Sequence, residues 1–144
     1  MAIHIQVLAP SSSAAPLVDE PIGTGSFLHA FFSTLSAHGE PDGWGSRFPV
    51  LMKGLYRGRL SHTQASAALT ELRAAKELLS QLSPTLVVWD IENRGRRPPW
   101  GSNIAPTITN LGNYFVSSAG KDLFGVFEAA LTAATRERLD VVIG

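Results

Sequence analysis

The sequence predicts an α+β fold in a single domain spanning residues 1–144, with a small sheet of about three to five strands packed against three or four helices. Three observations carry this expectation. Residues 2–9 alternate, with Ile3, Ile5 and Val7 on one side and His4 and Gln6 on the other, the pattern of a half-buried strand. Two long stretches, residues 61–82 and 120–138, repeat apolar residues at intervals of three and four, the pattern of amphipathic helices. Residues 85–91 form an apolar run broken only by Asp90, and Val87, Val88 and Ile91 mark it as a central strand.

Between these landmarks the remaining elements follow in order. Residues 10–16, rich in Ser, Ala and Pro, read as a loop, and Gly23, Thr24 and Gly25 break the chain again. Ser26 is placed to cap a helix whose face carries Leu28, Phe31, Phe32 and Leu35. Gly39 and Pro41 stop it, with His38 near its negative end. Asp42 and Gly43 mark a turn, Ser46 reads as a second cap with Pro49 tolerated in the first turn, and Phe48, Leu51, Met52, Leu55 and Tyr56 line a short helix ending near Gly58. Ser61 and Gln64 have capping-box spacing. The helix beyond them carries Ala65, Ala68, Leu69, Leu72, Ala75, Leu79 and Leu82 inward, pairs Arg73 with Glu77 on its wet side, and ends at Ser83-Pro84. Residues 114–117 suggest a short strand. Residues 120–138 form a last helix with Leu123, Phe127, Ala130, Leu131 and Ala134 inward, and residues 140–143 a final strand.

Bulk composition excludes several function classes. The hydrophobic fraction is 44% and the charged fraction 17%, which is a globular balance rather than a disordered one. Twelve basic residues balance twelve acidic ones, so no general attraction to nucleic acid or acidic membranes is expected. With no cysteine there are no disulfides, thiolate metal sites or cysteine nucleophiles. No apolar run approaches the ~20 residues that span a bilayer, and no signal peptide or internal repeat is evident; a cytoplasmic protein is expected.

Candidate chemistry concentrates around residues 90–100. Asp90 and Glu92, two apart on an expected strand, share one face and suit acid–base or metal chemistry; they equally suit pairing with Arg94, Arg96 or Arg97. The histidines His4, His29, His38 and His62 show no metal-ligand spacing, and His29 and His38, nine apart, are expected on opposite sides of one helix. Gly23-Thr24-Gly25-Ser26 lacks a Walker lysine and reads as a turn and cap. No G-x-S-x-G elbow occurs. The long Gly/Pro/Asn-rich stretch of residues 93–113 is the kind of loop that carries function. It holds the one local basic cluster, Arg94, Arg96 and Arg97, beside Trp89 and Trp100, suited to a protein contact or to stacking on bases. Pro98-Pro99 stiffens it, with one cis bond allowed for. Phe27, Phe31 and Phe32 read as core.

Six blocks of sequence together resemble the immunity protein 70 family: Gly25-Ser26-Phe27-Leu28-His29-Ala30-Phe31-Phe32-Ser33-Thr34, Trp44-Gly45-Ser46-Arg47-Phe48-Pro49, Trp89-Asp90-Ile91-Glu92, Arg97-Pro98-Pro99-Trp100-Gly101, Asn113-Tyr114-Phe115-Val116 and Gly120-Lys121-Asp122-Leu123-Phe124. They occur in a consistent order from about residue 22 to residue 131. The resemblance implies a non-enzymatic protein, without cofactor or metal, that binds and neutralises a cognate bacterial toxin encoded by an adjacent gene. It supplies no catalytic residues. The expected contact residues are Glu92, Arg94, Arg96, Arg97 and Trp100. A basic toxin cleft would favour acidic contacts such as Glu92 or Asp42, and a membrane-acting toxin apolar ones. Two other readings stand beside this one. The first is a small metal-dependent hydrolase or nuclease using Asp90, Glu92 and His29. The second is a nucleic-acid-binding module using Arg94, Arg96 and Arg97.

Overall fold

The computed structural model describes residues 2–11 and 14–144. The loop expected over residues 10–16 therefore lies partly outside the described residues, at Ser12 and Ser13. The fold is α+β, as expected: a four-stranded antiparallel sheet packed against three fifteen-residue α-helices. The strands are β1 (Ile3–Val7), β2 (Val18–Gly23), β3 (Arg59–Leu60) and β4 (Val141–Ile143), in the order β2-β1-β4-β3. The helices are α1 (Gly25–Gly39), α2 (Ala65–Leu79) and α3 (Leu123–Glu137).

The alternation read at the N-terminus is real: Ile5 and Val7 of β1 are fully buried, while His4 and Gln6 face the other side. Two strands escape sequence reading. In β2 only Val18 and Ile22 are apolar, and Asp19, Glu20 and Pro21 interrupt them. It forms because β1 supplies the ladder (Ile5 opposite Glu20, Val7 opposite Val18), and as an edge strand it tolerates a proline that cannot donate. β3 is two residues long, too short for a period. It is aimed at β4 by Gly58, whose φ of +106° lets the chain turn sharply while its carbonyl accepts from the Ile143 N–H at 2.8 Å.

The helices keep their predicted faces but not all their caps. α1 is capped by Thr24, whose hydroxyl accepts from the Phe27 N–H at 3.1 Å, and not by Ser26, which lies inside the first turn because the helix starts at Gly25. The short helix expected before Gly58 is a five-residue π-turn, Val50–Gly54, followed by a 3₁₀ turn, Leu55–Arg57. Ser46 does not cap it. The carboxylate of Glu71 on α2 does, accepting from the N–H groups of Leu51 (2.9 Å) and Val50 (3.3 Å). A 3₁₀ turn over His62–Gln64 precedes α2, with Ser61 accepting from Thr63 rather than closing a box with Gln64. α2 ends at Leu79, short of Leu82. Arg73 reaches Glu128 on α3 at 3.3 Å, so the expected pairing with Glu77 gives way to one that ties two helices together. α3 begins at Leu123 under an Asp122 cap, and residues 114–117 contribute one bridge, Val116 to Asp122, instead of a strand.

The largest correction concerns residues 85–91. They are not a central strand. Pro84–Leu86 is a 3₁₀ turn, and the residues after it run irregularly along α1. Of this apolar run Trp89 is buried, whereas Leu86 is 44% exposed. The backbone polar groups find partners on α1 instead of on a neighbouring strand. Thr34 donates to the Val88 carbonyl and accepts from its N–H, both at 3.0 Å; Ser33 accepts from the Ile91 N–H at 3.1 Å; His38 Nε2 donates to the Leu86 carbonyl at 2.7 Å. Ser33 and Thr34, fully buried hydroxyls on α1, find their partners in this segment.

One hydrophobic core joins sheet and helices. Phe27, Phe31 and Phe32 belong to it as expected. Phe31 stands at the centre of an aromatic cluster, its ring 5.0–5.3 Å from those of Phe32, Phe115, Phe124 and Phe127.

Candidate functional site

The loop that follows the segment on α1 is organised from its base upward. At the base, the Asp90 carboxylate has three partners. Its Oδ1 accepts from the Glu92 N–H at 3.0 Å and from His29 Nε2 at 3.1 Å, and its Oδ2 from Arg96 at 3.3 Å. His29 Nδ1 lies 2.8 Å from the Tyr56 hydroxyl. The partners fix the tautomer of a neutral ring: the carboxylate requires a proton on Nε2, so Tyr56 donates to Nδ1. Burial, with the nearby charges of Glu92 and Asp90, raises the Tyr56 pKa and keeps that phenol protonated. His29 and His38 both touch the segment, at Asp90 and Leu86, although they stand nine apart on α1.

Burial pushes the Asp90 carboxyl up, but the Glu92 amide, His29 and Arg96 together outweigh it and hold the group below its ordinary value of 3.8. A carboxylate held down in the fold stabilises it fully above the unfolded value, and that contribution is lost as pH falls through the folded one. Asp140, held down chiefly by the His62 amide and by Arg59, acts in the same direction. The stability difference between wild type and Asp90→Asn is therefore expected to stay constant above about pH 5 and to shrink below about pH 4, read by urea denaturation across a pH series. A difference that grows on acidification would refute this account.

Above the base, the loop is pinned at Trp100. Its indole N–H donates to the Tyr114 hydroxyl at 2.8 Å, and its ring meets Trp89 edge-on at 5.3 Å. Pro98 is buried, Gly101 turns the chain with φ +59°, and no cis peptide occurs among the described residues, so Pro98-Pro99 is trans. Three hollows surround this pinned loop. The first, about 550 Å³, is lined by Arg94, Arg96, Arg97, Val87, Ile104 and Tyr114 among others. The second, about 490 Å³, shares Arg96 and Arg97 with the first and adds Trp100, Val116 and the start of α1. The third, about 330 Å³, shares Trp100 and Val116 with the second and Ile104 and Tyr114 with the first. Trp100 is 39% exposed and Val116 43%.

The structure thus divides the expected contact residues. Arg94, Arg96 and Arg97 share the first hollow, and Trp100 borders the other two. Glu92 lines none of them; it projects into solvent beside His29, 3.8 Å away. His29, Asp90 and Glu92, the trio of the acid–base reading, do converge, with one ligand atom of each within 4.8 Å of the others. Their geometry is explained by the hydrogen bonds above: in the neutral ring His29 Nε2 donates its proton to Asp90, and Asp90 commits its second oxygen to Arg96. Sequence reasoning missed Tyr56 and Tyr114, the two phenols that orient His29 and Trp100, because each partner lies far along the chain.

Comparison with known proteins adds one finding. The family model described as Immunity protein 70 matches residues 14–143. The chain belongs to the Immunity protein 70 family. The match takes in all six sequence blocks quoted above, including the arginine–tryptophan loop. No curated protein and no solved structure matches the chain. Among the described residues, no helix is long and apolar enough to cross a membrane.

Proposed function

We propose that this chain is an immunity protein that binds a cognate bacterial toxin, encoded by an adjacent gene, in a stable complex and so protects the producing cell. Family membership across residues 14–143 is the observation that carries the reading. The whole chain acts as one binding domain in the cytoplasm, without cofactor or catalysis, and neither nucleic acid nor membrane is its target. The geometry supports a contact face at the pinned loop: Arg94, Arg96, Arg97 and Trp100 are exposed on a backbone already held by Asp90 and Tyr114, so little conformational entropy is lost when a partner arrives. Trp and Arg are also the residues that most often dominate binding energy. Glu92, off to the side, is a rim contact.

Co-expression tests the proposal. The neighbouring toxin domain is expected to kill cells when expressed alone and to be harmless with this chain, and the two proteins to elute together on size exclusion. Continued killing with no complex would sink it.

A further inference from the structure

The pinned loop carries more positive charge than its own fold uses. Arg96 is engaged by Asp90, but Arg94 and Arg97 have no ion pair and no side-chain hydrogen bond among the described residues. None of the residues lining the three hollows is Asp or Glu. The chain as a whole has a formal charge of zero, so this excess is local.

We propose that the partner meets this face with an acidic segment. One of its carboxylates sits between Arg94 and Arg97 in the first hollow, and its apolar neighbours cover Trp100 and Val116. The inference rests on the immunity reading and adds the chemistry of the partner's contact. A guanidinium fork matches a carboxylate in two parallel hydrogen bonds, and an unpaired guanidinium beside apolar walls gains most from such a partner. The walls here are Val87, Val88, Ile104 and Pro98, suited to side chains. A phosphate backbone also fits a guanidinium, but it must run on past the hollow. The basic stretch here is three arginines within four residues, and Asp90 and Glu92 stand at its foot. A short acidic peptide segment ends where the positive charge ends.

The test uses the full chain and the purified toxin domain encoded beside it, with affinity measured at low and high salt. Wild type is expected to bind, more weakly at high salt, and Arg94→Glu/Arg97→Glu to bind about 100-fold more weakly at low salt. Both side chains are exposed and have no ion pair or side-chain hydrogen bond among the described residues, so the variant is expected to melt with wild type. Reversing the acidic residues of the toxin segment to Lys is expected to recover binding to the double variant. If wild type binds and the double variant stays within about threefold of it, the acidic-segment inference is overturned and the immunity reading stands. If wild type does not bind the toxin domain at all, the immunity reading falls. Tight binding of a single-stranded oligonucleotide, lost in the double variant, would overturn the inference in favour of nucleic acid.

Discussion

Phe31→Ala is expected to destabilise the protein by about 4 kcal/mol, the upper range for a buried aromatic truncated in a close-packed core. That corresponds to a fall in Tm of roughly 8–16 °C for a chain of this size. The reason lies in what one ring holds together. Phe31 is fully buried, and its neighbours come from α1 itself (Phe32), from the stretch before α3 (Phe115) and from α3 (Phe124 and Phe127). Four large side chains cannot collapse onto an alanine without moving two helices, so most of the cavity persists. Phe31→Leu refills part of it and is expected to cost about 1–2 kcal/mol. Denaturant melts of the two variants check the ordering. A loss under about 1 kcal/mol for Phe31→Ala would show that the cluster does not centre on this residue.

Glu40→Ala is expected to cost about 3 kcal/mol, and no hydrophobic term enters it. Glu40 follows α1 directly and is only 4% exposed. Its two oxygens accept from three backbone N–H groups: Gly45 at 3.0 Å, Arg47 at 3.0 Å and Phe48 at 2.9 Å. The carboxylate thereby folds residues 45–48 back under the end of α1 and delivers the chain to the π-turn, where Glu71 takes the next two N–H groups. Alanine removes every acceptor and leaves the Gly45 and Phe48 amides buried without partners, which costs more than the bonds themselves contribute. Glu40→Gln keeps one oxygen but turns an NH₂ toward donors, and is expected to cost about 2 kcal/mol. Urea unfolding of both variants measures this. Equal stability of wild type and Glu40→Ala would mean that water replaces the carboxylate at no cost. Burial raises the Glu71 pKa; the Leu51 and Val50 amides oppose this and the Glu40 charge adds to it.

What the sequence makes legible follows from the range of the interaction concerned. The faces of α2 and α3 were readable because burial repeats with the helical period: Ala65, Ala68, Leu69, Leu72, Ala75 and Leu79 are all buried. The strands at 3–7 and 141–143 were readable for a like reason. Residues 85–91 misled because an apolar run with β-branched residues says nothing about which groups will satisfy its backbone. Here the answer is Ser33, Thr34 and His38, some fifty residues away. Glu71, twenty residues from Leu51, replaces the expected serine cap at Ser46 by a contact that is likewise not local. In the site, the arginine cluster and Trp100 were visible as residue types, and the loop as an unusually long irregular stretch. That Glu92 stands apart from Arg94, Arg96 and Arg97 was not, because neighbours in sequence diverge once Asp90 anchors the turn between them.

The position of β4 between β1 and β3 sets an order of events during synthesis. When the ribosome has made α1 and α2, β3 has no strand to pair with, and β1 has β2 alone. The two ladders that β4 makes, with β1 and with β3, wait for Val141–Ile143, separated from β1 by nearly the full length of the chain. Helices and the β1–β2 hairpin can form early from local contacts, whereas the sheet closes last and pays the entropy of a long loop. At about 5–20 residues per second of synthesis, β1 waits for its second neighbour for roughly 7–28 s.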